Sequence, residues 1–264
     1  MANEIEDMPY NSLNILIDQT QLEQILSTYE ILEKPRDINI YRKSFVHKSY
    51  CTRKNENFVN GNINCPANTL PLQEESNERL EFLGDSILGM VIAGYLFERY
   101  PDDNEGFLTR LRTKIVNGKM LAHLSKELGF HKYVIISKQI EDNNGRYNLN
   151  ILEDALEAFI AAIYTDYGFE MAKIWIISVI ETNLDFSDLI MVNTNYKDQM
   201  LKHFQQSYNY IPKFYEVSIE TDTDNQKIYT VCAKDNNGNV ISMGIGPSKK
   251  IAENTCAQNA MACV

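Results

Sequence analysis

The stretch of sequence that decides the fold of this chain runs from residue 77 to residue 86 and reads Asn77-Glu78-Arg79-Leu80-Glu81-Phe82-Leu83-Gly84-Asp85-Ser86. Apolar residues continue beyond it at helical spacing until Pro101 is reached, so we predict one helix over residues 77–99. Three carboxylates in the stretch stand at i, i+3 and i+7: Glu78, Glu81 and Asp85. This spacing predicts that all three lie on one face of the helix.

A second acidic pair lies in a later predicted helix, over residues 150–164. Asp154 and Glu157 stand three residues apart among alanines and large apolar residues, and no basic residue lies between Ile151 and Ile163. Two helices that carry facing acidic pairs can form an all-oxygen site for a hard divalent cation. From the residues alone, two interpretations stay open: such a metal site, and acidic pairs on a solvated helix surface.

Four segments, taken in order along the chain, resemble the motifs of the ribonuclease III family. Residues 77–86 match the family signature at every position. The other three segments are His47-Lys48-Ser49-Tyr50, Glu105-Gly106 with Leu111-Arg112 behind it, and Leu152-Glu153-Asp154-Ala155-Leu156-Glu157-Ala158. The resemblance covers about residues 25–185, where the apolar spacing is helical almost throughout.

The resemblance assigns roles to six acidic residues. It implies that four of them ligate Mg²⁺, for which Mn²⁺ can substitute: Glu81, Asp85, Asp154 and Glu157. Glu78 and Glu105 would be the supporting acids of the valley in which the family cuts RNA. The presence of all six argues against the catalytically inactive members of the superfamily. The implied reaction is metal-assisted hydrolysis of double-stranded RNA by water, leaving 5′ phosphates and short 3′ overhangs.

The resemblance also implies a homodimer that forms through the endonuclease domains. In the family two such domains pair, and each active site cuts one strand of the duplex. Phe82 would enter a pocket on the partner, and the alternative is that it is an ordinary aromatic residue of the core. The chain departs from many relatives in a long polar insert, residues 52–76, which we predict to be a surface loop.

A different pattern begins near residue 195. It predicts a helix, three strands and a helix within about 70 residues, with an Asn-Gly pair at Asn237 that is typical of a hairpin turn. This order resembles a double-stranded-RNA-binding domain over residues 195–264 and implies double-stranded RNA as a partner. Lysines and a helix N-terminus both favour phosphate. The phosphate-binding motif of such domains is matched at the start of the last helix by Ser248, Lys249 and Lys250.

The charge of this C-terminal segment predicts weak RNA binding. From residue 195 onwards it holds seven lysines, no arginine and seven acidic residues, so the net charge of −11 belongs to the rest of the chain. Residues 222–225 are acidic where relatives offer a histidine to the minor groove, and Glu253 stands at the third basic position of the last helix. The alternative to a tail that anchors the RNA duplex is a folded tail with weak RNA affinity that mainly assists dimer formation or substrate placement.

We therefore predict an α+β protein with two domains. A flexible lead over residues 1–20 precedes an all-α endonuclease domain over residues 21–190, and an α-β-β-β-α double-stranded-RNA-binding domain follows over residues 195–264. The five cysteines have no paired spacing and the acidic start does not resemble a targeting segment. We expect a soluble intracellular protein of the cytoplasm that has no membrane partner.

Two other classes of function compete with a catalytic endonuclease. One is a protein that sequesters double-stranded RNA without cutting it, and the other is a structural homologue associated with the ribosome. The four predicted metal ligands favour catalysis over both, because neither competing function needs them. The poorly basic tail also counts against sequestration.

Overall fold

A computed structural model of the chain describes residues 9–52, 65–191, 196–221 and 227–262. The chain divides into two compact units, Met1–Phe186 and Ser187–Val264. The described part of the first unit is helical, and the second contains a three-stranded sheet with helices. The predicted α+β class is confirmed.

Within its described residues the first unit contains eight α-helices and the start of a ninth. They are α1 (Gln19–Thr28), α2 (Ile38–Ser44), α3 (Glu78–Arg99), α4 (Glu105–Ile115), α5 (Gly118–Glu127), α6 (Lys138–Asp142), α7 (Leu149–Tyr167), α8 (Phe169–Asn183) and α9 (Phe186–Met191). The two acidic helices predicted from the sequence are therefore confirmed as α3 and α7.

Helix α7 lies at the centre of the first unit, with twelve of its 19 residues buried. The ring of Phe159 packs against those of Phe130 and Trp175, with centroids 4.8 and 5.4 Å apart. Helix α3 crosses α7 in direct backbone contact, because a Cβ atom at Gly84 would lie 1.7 Å from the carbonyl oxygen of Glu157. A glycine at this position is therefore a condition of the crossing.

Helix α3 is the one described helix that is long and apolar enough to cross a membrane by length and composition. Its buried residues, which include Ile87, Leu88 and Leu96, pack inside the unit, and its principal partner is α7. Its first turn carries Glu78 and Glu81. These features are those of a core helix that begins at a polar site.

The segment before α1 is packed against the first unit. The side chains of Asn11 and Asn14 are buried, and both donate to the backbone carbonyl of Ile136, at 3.2 and 2.9 Å. Such bonds hold a segment in place, since a buried amide without a partner is costly. The prediction of a flexible lead over residues 1–20 is wrong for residues 9–20, and the first eight residues lie outside the described part of the chain.

The polar insert, residues 52–76, is attached to the unit near its end. The backbone N–H of Gln73 donates to the carbonyl of Tyr50 at 3.0 Å. Leu72 is buried beside Tyr50 in a small apolar cluster. The prediction of a surface loop is therefore wrong around Leu72, where an apolar side chain reaches the core, and residues 53–64 lie outside the described residues.

The second unit has the predicted order of elements: α10 (Tyr196–Tyr208), β1 (Lys213–Thr221), β2 (Lys227–Lys234), β3 (Val240–Gly246) and α11 (Lys249–Met261). The strands form an antiparallel sheet in the order β1-β2-β3. Helix α11 packs directly on β3, because a Cβ atom at Gly244 would lie 2.1 Å from the backbone nitrogen of Cys256. The predicted acidic loop, residues 222–225, falls outside the described residues.

Candidate active site

The start of α3 is fixed to the rest of the first unit by Asn77. Its backbone N–H donates to the carbonyl of Val46 at 2.8 Å, and its buried side-chain amide donates to the carbonyl of Ser44 at 3.1 Å. Further along the helix, Gly84 rests on the backbone of Glu157. These contacts set how the acidic face of α3 meets the acidic face of α7.

The crossing brings five carboxylates within electrostatic reach of one another. We call them the acidic cluster, and its members are Glu81, Asp85, Glu153, Asp154 and Glu157. Glu157 is only 6% exposed, Glu81 and Asp154 are half-buried, and Asp85 is exposed. The cluster therefore has a buried member at the helix crossing and is open to solvent at Asp85.

Burial and mutual repulsion raise the pKa of three members of the acidic cluster, and the rise is large for Glu157 and Asp154. The pKa of Glu157 rises from 4.5 to about 8, first because burial disfavours the carboxylate and then because Asp85 lies near it. The pKa of Asp154 rises from 3.8 to about 6 through burial and the charge of Glu81, while the ammonium of Lys48 acts in the opposite direction. Negative charge is thus in excess, and a bound cation would relieve it.

The four predicted ligands fit a hard divalent cation by their chemistry. Within the described residues, none of these carboxylates takes part in a hydrogen bond or an ion pair: Glu81, Asp85, Asp154 and Glu157. As they stand, no three acidic, histidine or cysteine side chains of the described residues are grouped closely enough to hold a metal ion. Ligation therefore requires the exposed and half-buried members to turn toward the buried one.

The two predicted supporting acids lie in different surroundings. Glu78 is exposed, and it accepts hydrogen bonds from Lys48 at 3.1 Å and from the hydroxyl of Ser76 at 3.0 Å, which lower its pKa. Glu105 is the first residue of α4 and accepts a hydrogen bond from Thr109 of the same helix at 2.9 Å. It is not among the main charges that act on the acidic cluster, so its supporting role stays a prediction.

Glu153 is a member of the acidic cluster that sequence reasoning missed. Burial raises its pKa, and so do the charges of Asp85 and Glu81. Its carboxylate lies against the first residue of α5, since a Cβ atom at Gly118 would be 2.3 Å from Oε2. Adjacent helical residues point about 100° apart, so a search for acids on the face of Asp154 passes over its neighbour.

Phe82 is not a core residue of the single chain, because 76% of its surface is exposed. Met90 and Phe97 are 65% and 71% exposed on the same helix. Positions 82, 90 and 97 fall within about 80° of one another around a helix, so they form one apolar stripe on the outside of α3. Their exposure excludes the core alternative for Phe82, and its contact with a partner stays a prediction.

The predicted RNA-binding residues stand at the start of α11, where Ser248 accepts a hydrogen bond from the N–H of Ile251 at 3.3 Å and caps the helix. The Nζ of Lys249 lies 3.5 Å from Glu216 of β1. Lys250 is exposed and has no ion pair within the described residues. Part of the basic charge of this motif is therefore balanced inside the unit.

Glu253, at the position where relatives carry a third basic residue, has a partner of its own. Its carboxylate lies 2.6 Å from the Nζ of Lys197 in α10, and the same ammonium lies 4.9 Å from the centroid of the Phe214 ring. The pair neutralises Glu253, so the acidic residue does not leave a net negative charge on this helix.

Each unit matches a known family. Residues 37–184 match the ribonuclease-III-like family, and residues 196–262 match the double-stranded RNA binding motif. The chain therefore belongs to the ribonuclease III family, as its motifs predict, and its nuclease domain is followed by a double-stranded-RNA-binding domain.

Individual relatives agree with this assignment. The chain is 35% identical over 225 residues to ribonuclease 3 of Streptococcus gordonii. This match covers 85% of this chain and 89% of the relative. It is 34% identical over 246 residues to a probable ribonuclease 3 of Acanthamoeba polyphaga mimivirus, covering 92% of this chain but only 45% of that longer protein.

A solved structure with the same fold is the nuclease domain of ribonuclease III from Campylobacter jejuni. It is 34% identical, has a TM-score of 0.51, and the match covers 63% of this chain and 99% of that domain. The structure is described in terms of flexibility in the region involved in dimer formation of that domain.

Proposed function

We propose that this protein is a Mg²⁺-dependent endoribonuclease that hydrolyses phosphodiester bonds of double-stranded RNA and leaves 5′ phosphates and short 3′ overhangs. The observation that carries the proposal is the crossing of α3 and α7 at Gly84, which gathers the acidic cluster in a chain of a nuclease family. Mn²⁺ can substitute, because it also takes carboxylate ligands. The described cysteines are free thiols, which is consistent with a cytoplasmic location.

The predicted ligands divide into a fixed part and an adjustable part. Glu157 is buried beside the helix crossing, so it holds its position, whereas the exposed Asp85 can turn toward a cation. Glu81 and Asp154 complete the ligand set from the two helices. When bound, Mg²⁺ supplies a Lewis acid for the scissile phosphate and lowers the pKa of a coordinated water. The carboxylates hold this charge in place and balance it.

The direct test is incubation of the purified chain with a long RNA duplex, with and without Mg²⁺, followed by mapping of the product ends. We expect cleavage only with the metal, and single-stranded RNA of the same sequence should stay uncut. Duplex that is bound but intact in Mg²⁺ would instead support a protein that sequesters RNA. The ion pairs of the second unit do not favour RNA sequestration, because Lys249 already faces Glu216 and Lys197 already faces Glu253.

The apolar stripe on α3 supports a homodimer formed through the nuclease domains. Phe82→Glu should make the protein a monomer at micromolar concentration and should reduce cleavage sharply, because a charge would have to be buried in the contact. Light scattering measures the mass and a duplex assay measures the activity. Leu32→Glu is the matched control, since Leu32 is 83% exposed and lies away from α3 in sequence.

Two results would contradict this arrangement. The first is a monomeric parent protein that cleaves RNA at full rate. The second is a Phe82→Glu variant that keeps the parent's mass and activity, which would place the dimer contact on another surface.

The tail should bind RNA through few phosphate contacts. Lys249→Ala combined with Lys250→Ala should weaken duplex binding and lower the slope of log affinity against log salt by roughly two. Glu216→Gln should have the opposite effect, because it frees Lys249 from its internal partner. Cleavage at saturating RNA and low salt should largely persist in the lysine variant, since the acidic cluster belongs to the other unit.

Fluorescence anisotropy over a salt series measures these changes. Lys234→Ala is the control, because its ammonium lies over the Tyr215 ring, 5.3 Å from the centroid, and not at the start of α11. If the double lysine variant bound and cut RNA like the parent at physiological salt, the alternative of a mainly assisting tail would be favoured.

A further inference from the structure

The segment 47–50 matches a family motif, yet the proposed function gives none of its residues a role. Its backbone is fixed, because the N–H of His47 donates to the carbonyl of Ile135 at 3.0 Å and the side chain of Tyr50 is fully buried. Lys48 lies between these two anchors, and 67% of its side chain is exposed. A solvent-exposed ammonium group is therefore carried on a well-anchored piece of backbone.

Lys48 borders the acidic cluster on the side of α3. Its Nζ lies 3.1 Å from Oε1 of Glu78, and Glu81 follows on the same helix face three residues later, about 4.5 Å along the axis. Its charge also reaches Asp154 on α7, whose pKa it lowers against the effect of the neighbouring acids. Lys48 is thus a cation at the edge of a site that is otherwise negative.

A negatively charged site is a poor place for RNA to approach. The carboxylates of the acidic cluster repel phosphate, and a cation bound among them offsets only part of that charge. A lysine at the edge offers a compact positive charge to a phosphate oxygen next to the one that reacts. The pair of Lys48 with Glu78 is exposed on both sides, so exchanging the carboxylate for a phosphate costs little.

We propose that Lys48 is a positioning residue that binds a backbone phosphate of the RNA duplex beside the acidic cluster. This inference rests on the proposed function, because it assumes that duplex RNA is the molecule that reaches the site. The competing explanation is structural: the pair of Lys48 and Glu78 would only tie the segment 47–50 to the first turn of α3. The two explanations differ in what they predict for RNA affinity.

The test compares Lys48→Met and Lys48→Arg in the full chain. Duplex binding is measured by anisotropy over a salt series in EDTA, where no cleavage occurs, and cleavage kinetics are measured separately in Mg²⁺. We expect Lys48→Met to weaken binding about tenfold, as for the loss of one charged contact, and to lower the salt slope by about one. KM should rise more than kcat falls. Lys48→Arg should recover most of the parent's RNA affinity and most of its KM.

Lys43→Met is the matched control, because Lys43 pairs with the exposed Glu75 in the same unit and should leave affinity and slope unchanged. The proposal is overturned if Lys48→Met keeps the parent's affinity, salt slope and KM. It is also overturned if Lys48→Met and Glu78→Gln lower the melting temperature equally and kcat falls while KM stays.

Failure of the proposed function can be told apart from failure of this proposal. If the parent binds duplex RNA but never cuts it, the proposed function fails, and the salt slope of binding still tests whether Lys48 contacts a phosphate. Lys48→Gln serves if the Met variant does not fold.

Discussion

Glu157→Gln is expected to abolish cleavage of duplex RNA in Mg²⁺ and to leave RNA binding intact. A neutral amide is a poor ligand in an all-oxygen site, and Glu157 is the buried, fixed member of the predicted ligand set. Loss of even an outer-shell partner of a metal typically costs roughly 10–100-fold in activity, so removal of a ligand should cost more. A single-turnover assay measures the rate, and anisotropy in EDTA measures binding. Asp85→Asn should behave in the same way. A Glu157→Gln variant that cut at nearly the parent's rate would show that the ligand assignment is wrong.

The same variant has an expected effect on stability that separates folding from chemistry. In the metal-free protein the pKa of Glu157 is about 8, against 4.5 without burial, so the folded state binds more protons between these values than the unfolded state does. The contribution of Glu157 to the stability of the parent should therefore fall as the pH rises from 4.5 to about 8. In EDTA, Glu157→Gln should melt at a higher temperature than the parent at pH 8, and this advantage should be lost at pH 4.5. An inactive variant that melts well below the parent at pH 8 would mean that misfolding causes the loss of activity.

Gly84→Ala is expected to destabilise the first unit strongly and to disrupt the candidate active site at the same time. A Cβ atom there would lie 1.7 Å from the carbonyl oxygen of Glu157 and 2.5 Å from its carbonyl carbon. Both atoms belong to the backbone, so no side chain can turn away and the two helices must separate. We expect a loss of about 3 kcal/mol or more, at the upper end of what overpacking costs, together with loss of cleavage. Urea unfolding followed by circular dichroism measures the first effect.

Gly94→Ala is the matched control on the same helix. A Cβ atom at Gly94 would meet no atom within 4 Å, so the substitution at this exposed position should stabilise α3 by about 1 kcal/mol, the usual difference between the two residues. Equal urea midpoints for Gly84→Ala and the parent would show that the helices are not in direct contact at this point.

The parts of the fold that could be predicted are those that local patterns determine. The spacing of apolar residues and the acids of the signature predict α3 and α7 because helical period and side-chain direction are properties of the segment itself. The order of elements in the second unit follows in the same way from strand alternation and the Asn-Gly turn at Asn237.

The parts that could not be predicted depend on partners far away in the sequence. Asn11 and Asn14 are polar residues near the start of the chain, and only the position of the Ile136 carbonyl explains why they are buried. Lys249 stands in the predicted motif, but its pairing with Glu216 depends on how α11 packs on the sheet. In the active site, the pattern predicts the acids of one face and gives no means of telling that one is buried and another exposed.

The contact between Gly84 and the backbone of Glu157 affects how activity should be inferred across homologues. The separation of the two helices that carry the predicted ligands is set by the closest approach of two main chains, which no choice of larger side chain can reproduce. A homologue that retained every carboxylate but had gained a single methyl group at this point would pass a count of active-site acids and still be inactive. Sequence surveys that score only the acids would therefore overestimate the number of working nucleases, and including this glycine as a criterion would correct them.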